Sequence, residues 1–170
     1  MLLSLRTVSA VLAVGALVAT AGAQAPPRDG RLSFSGSWSA VGRRQALPTD
    51  GAPAAIIHLS GAVVVTTGPG STTLGFRGEV IGYDDGRGTS TGRAVWTDAR
   101  GDRVFSELKG GPLLAGRRIS GTITGGSGRY AGVSGDYALT WQYVVAGEDD
   151  TVQGRTVDLA GTFRLGERGR

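Results

Sequence analysis

After its first two dozen residues the chain has no stretch that combines apolar residues at i, i+3, i+4 and i+7 with a cap and freedom from glycine, so it has no route to a substantial helix. Glycine supplies 30 of the 170 residues, more than twice the usual share of about 7%, and each one inside a helix is unfavourable by about 1 kcal/mol relative to alanine. What the chain offers instead is alternation. Arg31–Val41, Ala54–Thr66, Thr72–Tyr83, Ser90–Ala99, Asp102–Lys109, Arg117–Thr124, Asp136–Ala146 and Val152–Leu165 each read as extended, with β-branched or aromatic residues at every second position and Gly, Asp or Pro between segments. In the seventh, Tyr137, Leu139, Trp141, Tyr143 and Val145 form an apolar face opposed by Asp136, Ala138, Thr140 and Gln142. One buried and one wet face is the antiparallel pattern.

Eight strands with short connections and no covering helix leave a closed barrel or a two-sheet sandwich. Glycines inside strands (Gly36, Gly61, Gly75, Gly78, Gly121, Gly161) favour the barrel, because glycine permits the coiling and bulges that closure needs. Such a barrel has room for packed side chains or one small ligand. The predicted fold class is therefore all-β, a single antiparallel eight-stranded barrel over residues 31–166, with a flexible segment at 24–30 and a tail at 167–170. Arg100-Gly101, taken as a two-residue hairpin loop, predicts that Ala99 faces Asp102, Asp98 faces Arg103, Trp96 faces Phe105 and Ala94 faces Glu107. That register pairs Asp98 with Arg103 and sets Glu107 on the apolar face beside Trp96 and Phe105.

Residues 1–23 read as an export signal: Arg6, an apolar run from Val8 to Ala19, then Ala21-Gly22-Ala23 ahead of Gln24. The run is short for a membrane span and no second one of spanning length follows. The expected destination is the periplasm or the medium. Without cysteine the chain has no disulfide, thiolate nucleophile or iron–sulfur cluster. Losing Arg6 lowers the formal +4 charge by one, and the remaining arginines alternate with acids, as in Asp98-Ala99-Arg100-Gly101-Asp102-Arg103. A nucleic-acid binder gathers its charge on one stripe with aromatic residues interleaved, so no nucleic-acid partner is expected.

Ile123-Thr124-Gly125-Gly126-Ser127-Gly128-Arg129-Tyr130-Ala131-Gly132-Val133-Ser134-Gly135 resembles the I-x-G-G-T-G-R-[FY]-x-G-A-x-G stretch of the allene oxide cyclase and dirigent superfamily. Tyr83-Asp84-Asp85-Gly86 and the Trp96-Thr97-Asp98…Gly101-Asp102 block look similar to exported bacterial proteins of that barrel type. The resemblance implies a barrel without cofactors whose apolar lumen holds a small molecule in one conformation. In it, Gly125, Gly126, Gly128, Arg129, Tyr130, Gly132 and Gly135 mark the fold and carry no catalytic role, with Tyr130 tucked under the turn. Gly36-Ser37-Trp38 is similar to the G-x-W of calycin barrels, which implies Trp38 at the barrel bottom with Arg164 packed over it.

Three readings of function follow. The leading one is a carrier of a small apolar ligand, with Trp96, Phe105, Glu107, Tyr137, Trp141 and Tyr143 as lumen candidates. The second is a cyclase or isomerase using Glu107, whose carboxyl pKa would rise beside Trp96 and Phe105. The third is a structural protein that forms a homo-oligomer through an outer sheet face. His58, the lone histidine, reads as a wall residue between Ile56 and Ser60, and neither Glu148-Asp149-Asp150 nor Asp84-Asp85 has the spacing of a calcium loop, so no metal is expected. Gly126-Ser127-Gly128-Arg129-Tyr130-Ala131 fits a relaxed dinucleotide fingerprint, but no helix follows to meet a phosphate. Around Ser134 the spacing of a nucleophile elbow is missing.

Overall fold

A computed structural model describes residues 30–68, 72–111, 117–147 and 149–166. The expected signal at 1–23, residues 24–29 and the tail at 167–170 lie outside the described residues. The strands are β1 (Arg31–Leu47), β2 (Ala54–Thr67), β3 (Thr72–Asp84), β4 (Ser90–Asp98), β5 (Arg103–Gly110), β6 (Arg117–Gly126), β7 (Ser134–Ala146) and β8 (Thr151–Arg164), with one 3₁₀ turn at Gly128–Tyr130 between β6 and β7. Each strand pairs antiparallel with its neighbours in sequence, and β1 closes on β8 to give a barrel in the order β1 to β8. Closure leaves no strand edge unpaired. All eight predicted strands are present, displaced by a few residues at their ends.

Alternation sends one set of side chains inward. Phe34, Trp38, Ile57, Leu59, Val63, Val65, Phe76, Trp96, Val104, Ile123, Tyr137, Leu139, Trp141 and Leu159 belong to one continuous core in the lumen. Its rings form a column: Tyr130 on Phe76 (5.7 Å between centroids), Phe76 on Trp96 (6.0 Å), Trp96 on Tyr137 (5.1 Å), and further along Trp38 on Trp141 (5.0 Å) and Trp141 edge-on to Tyr143 (5.9 Å). Glycines in neighbouring strands make room for the rings. A Cβ on Gly121 would collide with the Tyr137 ring directly across the β6–β7 ladder, and one on Gly154 with the Trp141 indole.

β8 carries a bulge. Its inward residues run Val152, Gly154, Thr156 and then, one position out of phase, Leu159. The extra residue coincides with Asp158, at φ +58°, and both flanking ladders shift register there. Where the β1–β8 ladder is interrupted, the backbone N–H of Trp38 donates to Thr156 Oγ1 at 2.8 Å.

The β4–β5 hairpin corrects the predicted register by one residue. Thr97 faces Arg103, Trp96 faces Val104, Val95 faces Phe105 and Arg93 faces Glu107. A two-residue loop would have required Arg100 to adopt positive φ. The chain instead uses the three-residue loop Ala99–Gly101, in which Gly101 alone takes that conformation, at φ +86°. Asp98 organises this loop: its Oδ1 accepts from the backbone N–H of Arg100 (2.8 Å) and of Asp102 (3.0 Å). Its Oδ2 meets the Arg129 guanidinium at 2.7 Å, so the expected Asp98–Arg103 pair is replaced by Asp98–Arg129. Burial alone would raise the Asp98 carboxyl pKa, but the two backbone donors and Arg129 hold it below the usual carboxylate value.

The Arg129 cation also lies 4.9 Å from the Tyr130 ring centroid. The Gly125–Gly135 segment thus ties the β4–β5 loop to the β6–β7 loop and seats Tyr130, 7% exposed, in that end of the barrel. Gly128, at φ +57°, has no space for a Cβ because the Asp102 carboxylate occupies it.

Replacing Asp98 with Ala is expected to cost about 1–3 kcal/mol at pH 7, because two backbone donors and a guanidinium lose their acceptor. As the folded-state pKa is depressed, the Asp98 contribution is present above the ordinary value of 3.8 and fades as pH falls below it. Urea unfolding of parent and variant at pH 7 and at pH 3 checks both statements: the gap between them should narrow in acid.

Candidate functional site

An apolar cavity of about 50 Å³ occupies the lumen between the ring column and the barrel end where β3 and β5 finish. Trp38, Leu139, Trp141, Leu159, Trp96 and Tyr137 line its depth, and Ser90, Lys109, Gly110 and Tyr143 mark its outer end. A second cavity of about 40 Å³ lies on the other side of Trp96, towards the end that Tyr130 fills. Among the described residues lining either cavity there is no carboxylate. Two polar groups in the first lack a partner: the indole N–H groups of Trp38 and Trp141 are buried and make no hydrogen bond. The Tyr143 hydroxyl stands near the Trp141 indole N–H, which acts on the phenol as a weak donor outside the geometry of a full hydrogen bond. Buried donors without acceptors are uncommon in folded proteins, and each unmade bond costs about 1–3 kcal/mol.

Four of the six lumen candidates, Trp96, Tyr137, Trp141 and Tyr143, line this cavity. Phe105 and Glu107 do not. A one-residue change of register turns every side chain to the opposite face, so Phe105 packs beside Val95 on the outer surface and Glu107 pairs with Arg93 there at 2.9 Å. With its side chain 47% exposed and its ion pair in solvent, Glu107 lacks the desolvated surroundings that the cyclase reading assigned to it. His58 is exposed on the outer face, across from Arg43 and Ile81. Trp38 belongs to the lumen and packs on Trp141, while Arg164 stands seven positions away along the β1–β8 pair, opposite Arg31, and does not cover it.

The lumen candidates read from the sequence left out much of the lining, including Trp38, the aliphatic residues Ile57, Leu59, Leu108 and Leu159, and the backbone around Gly82 and Gly92. Trp38 had a usable signal, since it falls in phase with Phe34 and Ala40 on one strand face. Among the described residues no group of three or more His, Asp or Glu side chains is placed to hold a metal ion.

Apart from Lys109 at the outer end, the titratable groups facing the cavity are tyrosines. Burial pushes the Tyr137 phenol up to about 12, with the Ser106 hydroxyl beside it pulling weakly the other way. Burial also raises Tyr143, partly opposed by Arg44 and reinforced by Asp84. With both phenols raised, the depth of the cavity presents uncharged walls at neutral pH. Glu107→Gln is expected to change stability by less than about 1 kcal/mol, the usual worth of an exposed pair, as a thermal melt would show. Tyr137 has the opposite profile. Its folded pKa lies above the unfolded value of 10.0, so its contribution is complete below pH 10 and is lost as pH rises towards 12. The loss amounts to about 2–3 kcal/mol. Denaturant unfolding across that window should show it, and Tyr137→Phe should remove it.

No protein-family model matches the chain, and no curated protein matches it. Among solved structures, the pterocarpan synthase dirigent protein aligns with 79% of this chain and 92% of its own, at 9% sequence identity and a TM-score of 0.44. At that distance no residue or activity carries across, and the barrel assignment rests on this chain's own strand order.

Proposed function

We propose that this protein is an exported, cofactor-free binding barrel whose lumen takes a small, uncharged, largely apolar molecule bearing one hydrogen-bond acceptor. The observation that carries the reading is the lumen cavity lined by Trp38 and Trp141, whose buried indole N–H groups make no hydrogen bond. A carbonyl or ether oxygen would satisfy one of them, while the apolar remainder of the ligand would pack on Leu139, Leu159 and the rings. Export is supported by the N-terminal segment of the sequence.

Size limits the ligand. Sites for drug-sized molecules occupy about 300–1,000 Å³, and a cavity of about 50 Å³ accepts only a handful of non-hydrogen atoms. Very small ligands gain at most about 1.5 kcal/mol per atom, so a five-atom ligand binds with a Kd no tighter than about 3 μM. A second reading, an interaction module that pairs through its outer sheet, draws on Ile56, Ile81 and Tyr83, neighbours on the β2–β3 surface that are each about half exposed or more.

Butanone titrated into isotope-labelled protein tests the first reading. The three tryptophans give three indole N–H resonances, and those of Trp38 and Trp141 should move with saturable kinetics at micromolar to millimolar ketone. Trp141→Phe should weaken butanone more than it weakens xenon, which needs no donor. If neither probe moves either indole, the lumen reading fails and the mass of the protein in solution becomes the informative measurement for the second.

A further inference from the structure

We infer that Trp96 is a partition that sets the length of molecule this barrel accepts. The inference rests on the lumen-binding reading and adds to it a second chamber and the residue that controls access to it.

The two cavities lie end to end in one lumen, and Trp96 is the single described residue that lines both. On its outer side are Trp38, Trp141 and Tyr137; on its inner side are Phe34, Phe76, Val104, Ile123 and Tyr130. The indole is held across the bore by three ring contacts, to Tyr137 at 5.1 Å, to Phe76 at 6.0 Å and edge-on to Phe34 at 6.3 Å. Its backbone is fixed in β4, opposite Gly78 on β3 and Val104 on β5. The space in front of Gly78 is taken by Val63 and the Trp38 indole, and Trp96 reaches from β4 to rings on β1, β3 and β7.

The inner chamber, of about 40 Å³, is lined by apolar side chains apart from Thr67 and the Tyr130 phenol. The Tyr130 hydroxyl is engaged by Arg129 and Asp98, so the chamber's chemistry suits the methylene end of a straight aliphatic chain. With Trp96 in place, a ligand entering past Ser90 and Tyr143 is stopped after the outer chamber. With the indole removed, the two spaces and the volume of the ring itself form one channel leading to Tyr130.

The probes are straight-chain methyl ketones of increasing length, starting from butanone, read by the indole resonances of Trp38 and Trp141. In the parent protein, affinity should rise about fourfold for each added methylene while the outer chamber fills, then level off. In Trp96→Leu, which keeps the core apolar and removes the distal ring, the levelling point should move out by several carbons. Val104→Ala provides a check that spares the indole: it enlarges only the inner chamber, so with the partition intact the parent's levelling point should not move. If short ketones bind and the levelling point is the same in parent and Trp96→Leu, or if it moves in Val104→Ala alone, Trp96 is not the partition. If no ketone binds folded parent or folded Trp96→Leu, it is the lumen-binding reading that has failed, and the partition with it.

Discussion

The fit of large inward rings against glycines on neighbouring strands is the contact on which the rest of this barrel depends. Tyr137 occupies the space above Gly121, and Trp141 the space above Gly154. Side chains at those glycines would drive the rings back into the bore or push adjacent strands apart, and closure of β1 on β8 tolerates neither. The same fit explains a glycine content that would otherwise be a liability in strands, where glycine lacks packing surface and carries a larger entropy cost. The ring column recovers that packing surface from the opposite direction. It also dictates the modest size of the cavities, since the space the glycines open is space the rings fill.

Charge is arranged to leave the lumen neutral. The carboxylates nearest the barrel ends are engaged with the backbone: Asp98 with its own loop and Arg129, Asp84 with the Gly86 N–H, Asp85 with the N–H groups of Arg87 and Thr89. Glu107 is paired with Arg93 outside. What remains inside is a set of rings and aliphatic side chains with a few hydroxyls, and the buried groups that make no hydrogen bond include the two indole N–H groups. Such a site can bind, orient and exclude water, and its selectivity has to come from shape and from those donors.

Much of the architecture was legible in the sequence because a period of two in apolar residues is a direct record of which face is buried. Tyr137, Leu139 and Trp141 could be assigned inward from that record alone. The β4–β5 hairpin was not legible to the same degree, because its register depends on whether the loop holds two residues or three. That choice was settled by an interaction outside the pattern, the Asp98 carboxylate accepting two loop N–H groups. One residue of difference moved Glu107 and Phe105 from the lumen to the surface. The bulge in β8 escaped for a related reason: it centres on Asp158, a residue whose type does not announce positive φ as glycine would. The cavities were illegible in principle, since they depend on how far rings from five strands interpenetrate.

The central claim is that the ring-filled lumen retains space bordered by the Trp38 and Trp141 indoles, and that this space takes a small apolar guest. A crystal structure of the protein under xenon pressure tests it most directly. The account predicts a bound xenon atom among Trp38, Leu139, Trp141 and Leu159, on the outer side of an ordered Trp96 ring. A lumen that takes up no xenon, with those side chains closed into van der Waals contact, would contradict it.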